Sequence, residues 1–568
     1  MRRSDVFVIA AWAGTIFGLA EGVILCICRA FPAVLAPFKV SAHGLWVAPS
    51  IDLPLFVLAG VGVVVFLRWA LKWLGTSKLL VAYGFYVFLG LFTLLTAPKM
   101  IHLISATLLS LGLTAVFCRR LRGWESRFTS YLRSRLVWIP VLIVIAGLGV
   151  YGYERVSETW IFRRLSPIPK GATNVLVVVM DTVRFDSFTR PAKDSLTPNI
   201  NKIVARGVRF ENAWAPSSWT LPSQASILTG RYPHEHAADW PYLRLENKSP
   251  TLAEFFAGRG YVTGAFSGNG AWVTPEYLGR GFLRFNVYTL ENLFRRTVHG
   301  RSISRLLWEV GYHIAGRGKK APTVNAQFLK FLDDYPDRPF FAYLCYMDVN
   351  QAFHNAMFNH GFWVPTPPVQ EIVRAYEQGL NQLDEHIGKL FTELEQRGIL
   401  KNTLVVITSD HGQSFGAENA NDHDPFGHGT SLYPEQTRVP LFVIHANRLG
   451  TGQKITSAVS LRQIPATITH LMGLADLAFL GDPLPIQDSS SENFGAPVLT
   501  TLNYRDHKLQ SVIWNGWQYI NNLNNPNEGE EVYDLTADPF EKKSLTSAHA
   551  DITPIRAVLQ QLISYSRH

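Results

Sequence analysis

The stretch NVLVVVMD at residues 174–181 decides the fold, because an unbroken apolar run ends there in a single carboxylate. A β-branched run without alternation is typical of a strand that is buried on both faces of a parallel sheet. The stretch TLVVITSDHG at residues 403–412 has the same form. Between the two, apolar residues of 367–397 recur at spacings of three and four, which predicts a long helix. Strands that alternate with helices predict an α/β domain with a mostly parallel sheet sandwiched by helices.

The first third of the chain has a different composition and predicts a helical membrane domain. The 568 residues are 47% hydrophobic and only 17% charged, whereas a soluble domain usually has roughly 25% charged residues. Membrane-spanning helices need about 20 mainly apolar residues. The first such stretch could instead be a signal peptide, but it is too long for one and further spans follow. We predict about five transmembrane helices, at Val6–Cys28, Leu53–Leu74, Leu79–Ala97, Met100–Cys118 and Leu136–Tyr153.

Two polar residues fall within these predicted spans. Glu21 lies in the first span and His102 in the fourth. An ionisable residue inside a membrane is by default a functional candidate. A role in packing helices near the interface is the alternative, which we favour.

The net charge of +9 is local and does not indicate nucleic-acid binding. Residues 1–135 hold 14 Lys and Arg against 4 Asp and Glu, and the rest of the chain holds 39 against 40. A nucleic-acid-binding domain would need a basic face in the large C-terminal part. Alternate loops of the membrane domain are basic, which predicts a cytoplasmic N-terminus and places the α/β domain on the outer side.

Two groups of candidate ligands follow the two strands, and a candidate nucleophile begins a helix. In open α/β sheets the ligand binds outside the carboxyl ends of the strands, so Asp181, Asp410 and His411 should converge. Residues 219–230, WTLPSQASILTG, are typical of a loop that enters a helix. The hydroxyl of Thr220 then lies where amide groups and the helix dipole favour an anion. Turn and N-cap roles are the structural alternatives.

These segments resemble the alkaline phosphatase superfamily in its sulfatase-like branch. The resemblance covers residues 173–545 in order and spacing. The order of an apolar N-terminal region followed by a catalytic domain is similar to that of phosphoethanolamine transferases and lipoteichoic acid synthases. The matching motifs are 174–186, 197–200, 207–210, 220–230, 403–412, 427–429, 438–441, 517–520 and 531–541. We predict a transmembrane domain at 1–153, a linker at 154–172, a sulfatase-like catalytic domain at 173–500 and a small C-terminal β-rich subdomain at 501–568.

The resemblance implies one divalent metal, held by Asp181, Thr220, Asp410 and His411. A mixed oxygen and nitrogen site suits zinc or manganese best, with magnesium and calcium as alternatives. Thr220 is also implied as the attacking hydroxyl, since a bound cation lowers the pKa of a hydroxyl. His428 is implied as the second catalytic residue, which binds phosphate or protonates the leaving group; a solvated loop histidine is the alternative.

Substrate-binding roles are predicted for Asn350, His236 and Arg184. For Arg184, an ion pair with Asp186 is the alternative.

Four positions depart from sulfatases that use formylglycine. Thr220 stands where those enzymes have a Cys or Ser, Gln224 where they have Arg, Thr182 where a second metal-binding Asp is usual, and Asn350 where a His is common. The departures favour relatives that use threonine and one metal.

We therefore predict a membrane-bound, metal-dependent enzyme that hydrolyses or transfers a phosphate ester. A sulfatase without formylglycine and a catalytically inactive binding or assembly protein are the alternatives. The expected partners are the lipid bilayer and a phosphodiester, a phospholipid head group or a cell-envelope glycan as substrate. The layout implies a bacterial-type inner (plasma) membrane, with the catalytic domain periplasmic or extracellular.

Overall fold

The computed structural model divides the chain into two compact units. One unit comprises Met1–Trp160 with Leu290–Ile314, and the other comprises Ile161–Thr289 with Ala315–His568. Each unit is described by itself. The structure describes residues 2–30, 41–69, 77–97, 101–168, 171–246, 250–309, 318–358, 367–417, 419, 422–423, 426–445, 449, 452–474, 479, 481–486, 495–524, 529–545 and 552–564.

Five helices of the first unit are long and apolar enough to cross a membrane, which confirms the number predicted. A short amphipathic helix, α5, lies between the fourth and fifth of them. The six helices are α1 (Arg3–Ala30), α2 (Gly44–Trp69), α3 (Lys78–Thr96), α4 (Leu103–Leu121), α5 (Glu125–Arg133) and α6 (Trp138–Arg163).

The second of these helices begins earlier than the apolar run indicated. We expected a span from Leu53, but α2 begins at Gly44 and contains Asp52, Pro49 and Pro54. The side chain of Asp52 is fully buried. Pro49 and Asp52 interrupt the apolar run in a sequence scan, whereas in the folded unit the helix continues through both and one carboxylate oxygen of Asp52 bonds to Nδ1 of His299. His102, expected inside the fourth span, instead caps α4, and its ring accepts from the amide of Ile104.

Helices α1 and α2 pack closely along a row of glycines spaced four residues apart. A Cβ atom on Gly14, Gly18 or Gly22 would lie 2.7, 2.4 or 2.6 Å from backbone atoms of α2. Small residues at this spacing allow two membrane helices to approach backbone to backbone. Within the same unit, the segment Leu290–Ile314 contributes two more helices, Leu290–Phe294 and Val298–Glu309.

The second unit is built on a nine-stranded, mostly parallel sheet, as predicted. The strand order is β4-β3-β5-β1-β6-β7-β2-β8, with β9 paired to β2, and β7 runs antiparallel to both of its neighbours. The strands of this sheet are β1 (Asn174–Met180), β2 (Val208–Trp214), β3 (Val262–Ser267), β4 (Arg284–Asn286), β5 (Phe340–Tyr346), β6 (Thr403–Thr408), β7 (Arg438–Ile444), β8 (Gln453–Ile455) and β9 (Val459–Ser460).

Both faces of the sheet are covered. Successive side chains of a strand point to opposite faces, and those of β1 pack into two different apolar cores. Val175, Val177 and Val179 pack into one apolar core, and Leu176 and Val178 pack into the other. The helices of this part of the unit are α7 (Pro198–Val204), α8 (Thr220–Thr229), α9 (Pro233–His236), α10 (Leu252–Ala257), α11 (Pro275–Leu278), α12 (Ala321–Asp334), α13 (Asp348–Phe358), α14 (Val369–Gln396), α15 (Pro434–Thr437) and α16 (Ile464–Leu471).

A second sheet and a last helix complete this unit, and they confirm the β-rich C-terminal region. Four antiparallel strands pair in chain order. Helix α17 packs its apolar face on them. These elements are β10 (Val498–Tyr504), β11 (His507–Trp514), β12 (Trp517–Asn522), β13 (Glu531–Asp534) and α17 (Thr553–Ser564).

Candidate active site

Four neighbouring parallel strands bring polar side chains together at their carboxyl ends. Asp181 follows β1, Asp410 and His411 follow β6, Asn350 lies in the first turn after β5, and Asn269 follows β3. One ligand atom each from Asp181, Asp410 and His411 lies within 4.8 Å of the other two. All three side chains are buried. The expected convergence of the two strand ends is therefore present.

Thr220 lies beside this cluster, as the first residue of α8. Its Oγ1 is 3.1 Å from Nε2 of His411. The other ring nitrogen of His411, Nδ1, is 2.9 Å from the carbonyl oxygen of Gly412 and must donate to it. Nε2 therefore carries a lone pair, and the Thr220 hydroxyl donates to it. A cation at this point would take the lone pair of Nε2 and a lone pair of Oγ1 in place of the hydrogen bond between them.

Amide side chains orient both carboxylates. The Nδ2 groups of Asn269 and Asn350 donate to Oδ2 and Oδ1 of Asp181 at 2.8 and 3.0 Å. Nε2 of Gln224 donates to Oδ2 of Asp410 at 2.9 Å, and Tyr343 holds that amide by donating to its Oε1 at 2.5 Å. Each carboxylate thus has a fixed direction, as metal ligands with supporting hydrogen bonds do.

Thr182 does not replace the second aspartate of related sites. Its hydroxyl donates to the carbonyl oxygen of Asp181 at 2.7 Å, and its backbone φ is +64°. A β-branched residue is strained in that region, and such strain concentrates at functional sites.

Burial dominates the electrostatics of the cluster. It raises the pKa of Asp181 to about 7, and the charge of Asp410 adds to the effect. Burial likewise raises the pKa of Asp410 to about 7, and it lowers the pKa of His411. Burial therefore disfavours the charged form of both carboxylates, and a bound cation would reverse this effect and stabilise them as carboxylates.

The donor set fits one divalent cation. Asp181, Asp410, His411 and Thr220 offer three oxygens and one nitrogen, a mixed set that suits zinc or manganese. Nearby, the buried Oδ1 of Asn350 has no hydrogen-bond partner within the part of the chain that the structure describes. An orphaned buried oxygen at this place is a further oxygen donor for a cation or a bound substrate.

His428 stands at the solvent side of the cluster. Its ring is 4.6 Å from the ring of His411 and it is only partly buried. Nε2 of Gln413 donates to the carbonyl oxygen of Ser414, so its Oε1 faces His428 and accepts from Nδ1 at 2.7 Å. Nε2 of His428 is therefore unprotonated in the neutral ring. Burial, followed by the charges of His411 and His354, holds the pKa of His428 well below its usual value.

The contacts of Arg184 argue against the substrate-binding role that we predicted. Its guanidinium pairs with Asp186 and Asp422 at 2.6 and 2.7 Å and donates to the carbonyl oxygen of Gln413 at 2.9 Å. These bonds occupy most of its donors, so the alternative of an ion pair with Asp186 is the better interpretation.

The contacts of His236 lead to the same correction. It is fully buried behind α8, where Nε2 lies 3.1 Å from both Ser226 Oγ and the carbonyl oxygen of Pro222. Its Nδ1 accepts from the amide of Ala238 at 3.1 Å. Both ring nitrogens are therefore committed within the fold, which indicates a structural role.

Sequence reasoning missed Asn269 and treated Gln224 only as a departure from a motif. Asn269 follows a buried strand in the same way as Asp181 does, and the rule that ligands gather at the carboxyl ends of parallel strands applies to it equally. That rule, applied to every strand, would have found it. No local pattern indicated that Gln224 faces Asp410.

The parallel strand ends, the buried carboxylates and the hydroxyl at a helix start define a hydrolase of the alkaline phosphatase superfamily. Residues 173–474 match the family model described as Sulfatase, and the chain belongs to this family. Members of the family bind a divalent metal.

Known relatives are distant but cover most of the chain. Arylsulfatase K from Xenopus laevis is 22% identical over an alignment of 468 positions that covers 70% of this chain and 83% of the relative. Choline-sulfatase from Rhizobium meliloti is 24% identical over an alignment of 450 positions that covers 66% of this chain and 82% of the relative. The crystal structure of phosphonate monoester hydrolase of Agrobacterium radiobacter matches with a TM-score of 0.54 and 17% identity, over 70% of this chain and 95% of that one.

Proposed function

We propose that this chain is a membrane-anchored, metal-dependent enzyme that hydrolyses or transfers a phosphate ester through Thr220. The contact of 3.1 Å between Thr220 Oγ1 and His411 Nε2 carries the proposal. Sulfatases with a Cys or Ser at this position oxidise it to an aldehyde. Threonine cannot form that aldehyde, because its hydroxyl-bearing carbon also carries a methyl group. The unmodified hydroxyl must then serve as the nucleophile.

The residues of the site account for each proton and bond. A divalent cation held by the cluster would lower the pKa of the Thr220 hydroxyl and neutralise charge on the transferring group. Because a cation would take the lone pair of His411 Nε2, we assign the base to His428, whose ring centroid lies 4.6 Å from that of His411 and whose Nε2 is unprotonated. His428 accepts the hydroxyl proton as the bond from Oγ1 to phosphorus forms. The bond from phosphorus to the leaving oxygen breaks, and His428 returns the proton to that oxygen. In the second step water or an acceptor hydroxyl gives its proton to His428 and forms a bond to phosphorus, the bond from phosphorus to Oγ1 breaks, and the proton passes to Oγ1 to restore the Thr220 hydroxyl.

The substrate class follows from the anchor. Five helices are long and apolar enough to cross a membrane. We propose that they hold the enzyme at a lipid surface and that its substrate is a phospholipid head group or a cell-envelope glycan. The proposed location is a bacterial-type inner membrane, with the catalytic unit on its periplasmic or extracellular side. Basic residues in alternate loops of the membrane domain support this orientation.

Sulfate-ester cleavage by the same hydroxyl is the second candidate. The sulfatase family and relatives such as arylsulfatase K and choline-sulfatase favour it. Parallel assays with an aryl phosphate, a phosphodiester and an aryl sulfate separate the two candidates, and a dominant rate on the sulfate would replace phosphate by sulfate in the proposal.

Peptide mass spectrometry after incubation with envelope lipids tests the nucleophile directly. We expect a covalent phosphoryl-containing adduct on the peptide with Thr220, and loss of activity by at least about a thousandfold in Thr220→Ala. Thr229→Ala is the matched control, because Thr229 lies at the other end of the same helix, where its hydroxyl donates to the carbonyl oxygen of Ala225 and accepts from the amide of Arg231. Full turnover by Thr220→Ala on every ester would refute the proposal. An inactive wild-type protein that binds no metal would indicate the assembly role instead.

A further inference from the structure

A second group of ligand-type side chains lies inside the first unit, Met1–Trp160 with Leu290–Ile314, which contains the five apolar helices and is called the membrane unit below. Glu21 of α1, Asp52 of α2 and His299 of the segment Leu290–Ile314 each offer one ligand atom within 4.8 Å of the other two. Glu21 and Asp52 have no solvent-exposed surface, and the side chain of His299 is 20% exposed. These residues are remote in sequence, and none of them takes part in the proposed reaction.

Hydrogen bonds satisfy only half of the carboxylate oxygens. Oδ1 of Asp52 is 2.8 Å from Nδ1 of His299, and Oε1 of Glu21 accepts from the amide of Val298 at 2.8 Å. Oδ2 of Asp52 and Oε2 of Glu21 are buried and have no hydrogen-bond partner among the described residues. A buried carboxylate oxygen without a partner costs several kcal/mol in apolar surroundings, unless a cation or a proton compensates.

With a neutral imidazole at His299, as metal binding requires, the charge in the cluster is also unbalanced. Two carboxylates face each other, and Arg301 acts electrostatically on Glu21, which balances one of the two charges; a proton on His299 would balance the other. The ring of Phe56 stands at 86° to the ring of His299, with centroids 6.0 Å apart, and closes one side with apolar surface. Nε2 of His299 lies 3.4 Å from Oγ1 of Thr93, a long contact that a stronger ligand would displace.

We propose that Glu21, Asp52 and His299 bind a second divalent cation, of the zinc class. Two carboxylate oxygens and one imidazole nitrogen form the three-ligand set that zinc takes in proteins, with a fourth position for water or Thr93. The ion would join α1 and α2 to a segment that in sequence lies between β4 and α12. Its role is therefore to fix that segment on the membrane helices. The proposal does not depend on the proposed catalytic function.

Metal stoichiometry of the full-length protein in detergent tests the proposal. The protein is stripped with a chelator, re-equilibrated with zinc and analysed by mass spectrometry of the bound metal. We expect two zinc ions per chain in the wild type and one in Asp181→Asn/Asp410→Asn, which lacks the catalytic ligands. Glu21→Gln should bind one zinc ion, and the variant that combines Glu21→Gln with Asp181→Asn and Asp410→Asn should bind none. Glu125→Gln is the matched control, since Glu125 is a buried glutamate of the same unit outside the cluster, and it should bind two.

Cobalt provides a second reading that does not depend on any substitution in the membrane helices. Bound to the Asp181→Asn/Asp410→Asn protein, cobalt should show visible absorption that is lost in the added variant His299→Gln. If the folded Asp181→Asn/Asp410→Asn protein binds no zinc and shows no cobalt absorption, the cluster is an ordinary ion pair between His299 and Asp52 and the proposal is wrong. This outcome is decisive even if Glu21→Gln fails to fold.

Discussion

Gln224 acts on the candidate metal ligand Asp410. Where sulfatases with formylglycine carry an arginine, this chain places a neutral amide that donates to Oδ2 of Asp410 and accepts from the hydroxyl of Tyr343. A guanidinium at this point would lower the pKa of Asp410 and repel a cation. The neutral amide orients the carboxylate and leaves its charge available for a cation, so it is a positioning residue.

Gln224→Leu should weaken metal binding and stability together. The substitution leaves Oδ2 of Asp410 and the hydroxyl of Tyr343 unpaired in the interior, which costs about 1–3 kcal/mol for each group. We expect a lower affinity for zinc by calorimetric titration, a lower melting temperature and a lower kcat. Tyr343→Phe is the control, because it keeps the bond from Gln224 to Asp410 and should change zinc affinity much less. Equal effects of the two variants would show that Gln224 has no specific action on Asp410.

The contacts of His423 predict that the free energy of unfolding decreases at alkaline pH. Its Nδ1 faces Oε1 of Glu435 at 3.2 Å and its Nε2 faces the carbonyl oxygen of Glu541 at 2.9 Å, so both nitrogens donate and the ring is charged. Burial alone would lower the pKa of His423, but the hydrogen bond and charge of Glu435 outweigh it and raise the pKa.

Since the folded pKa lies above the unfolded one, this ring contributes its full stabilisation below about pH 6.5 and loses it as pH rises through the folded value. Melting curves of wild type and His423→Gln, taken at pH 6 and pH 9, check the sign. The difference between the two proteins should be larger at pH 6. A difference that grows toward pH 9 would contradict the charged state of the ring.

The sequence predicted the metal-ligand residues better than their supporting amides. Asp181 and Asp410 end long apolar runs, so a general rule about strand ends placed them together. Asn269 follows a strand that contains a glycine, and an asparagine at such a place is typical of a turn. The contacts of Arg184 and His236 favour structural roles over the predicted substrate binding, and these contacts could not be foreseen, because residue type and sequence proximity do not show which hydrogen-bond partners are nearby in the fold.

At the level of elements, the packing of α1 on α2 predicts that adding a side chain at Gly18 strongly destabilises the protein. An added Cβ would lie 2.4 Å from the Cα of Pro49, a backbone atom that cannot move aside without separating the helices. Gly18→Ala should therefore lower the melting temperature and the yield of monodisperse protein in detergent. Gly62→Ala in α2 is the control, because nothing lies within 4 Å of its Cβ position and alanine favours helix. Equal melting temperatures for the two variants would contradict the close approach of α1 and α2.

Helix boundaries in the membrane unit depended on contacts that a hydropathy scan does not contain. Residues 44–52 are interrupted by Pro49 and Asp52, so the apolar run seemed to begin at Leu53. In the structure Asp52 is compensated in part by His299, which lies about 250 residues further along the chain. Helix α14, in contrast, runs from Val369 to Gln396, close to the predicted 367–397, since its apolar face alone defines it.

At the scale of the whole molecule, the assignment of Leu290–Ile314 to the membrane unit could not be predicted. In sequence this segment lies well inside the predicted catalytic domain 173–500. Its helix Val298–Glu309 is amphipathic, as many surface helices of α/β domains are, and no motif marks it. The hydrogen bonds of Val298 and His299 to carboxylates of α1 and α2, together with the ring contact between His299 and Phe56, show where it belongs.

The orientation of the whole chain gives the last prediction, which rests on the distribution of basic residues. With the N-terminus inside, eleven Lys and Arg residues lie in inner segments: Arg2, Arg3, Arg68, Lys72, Lys78, Arg119, Arg120, Arg122, Arg127, Arg133 and Arg135. The outer loops hold Arg29, Lys39 and Lys99, and Arg155, Arg163 and Arg164 follow the apolar part of α6. Eleven against six still favours a cytoplasmic N-terminus, because short basic loops are retained inside.

Reporter fusions in a bacterial host test this orientation at two points of the chain. A fluorescent protein that folds only in the cytoplasm should be dark when fused after His568, and an enzyme that is active only after export should be active there. Both reporters should give the opposite result after Arg122, between α4 and α5, because an odd number of spans separates the two points. Fluorescence at His568 would place Thr220 and its neighbours in the cytoplasm, and a head group or glycan exposed on the outer surface could then no longer be the substrate.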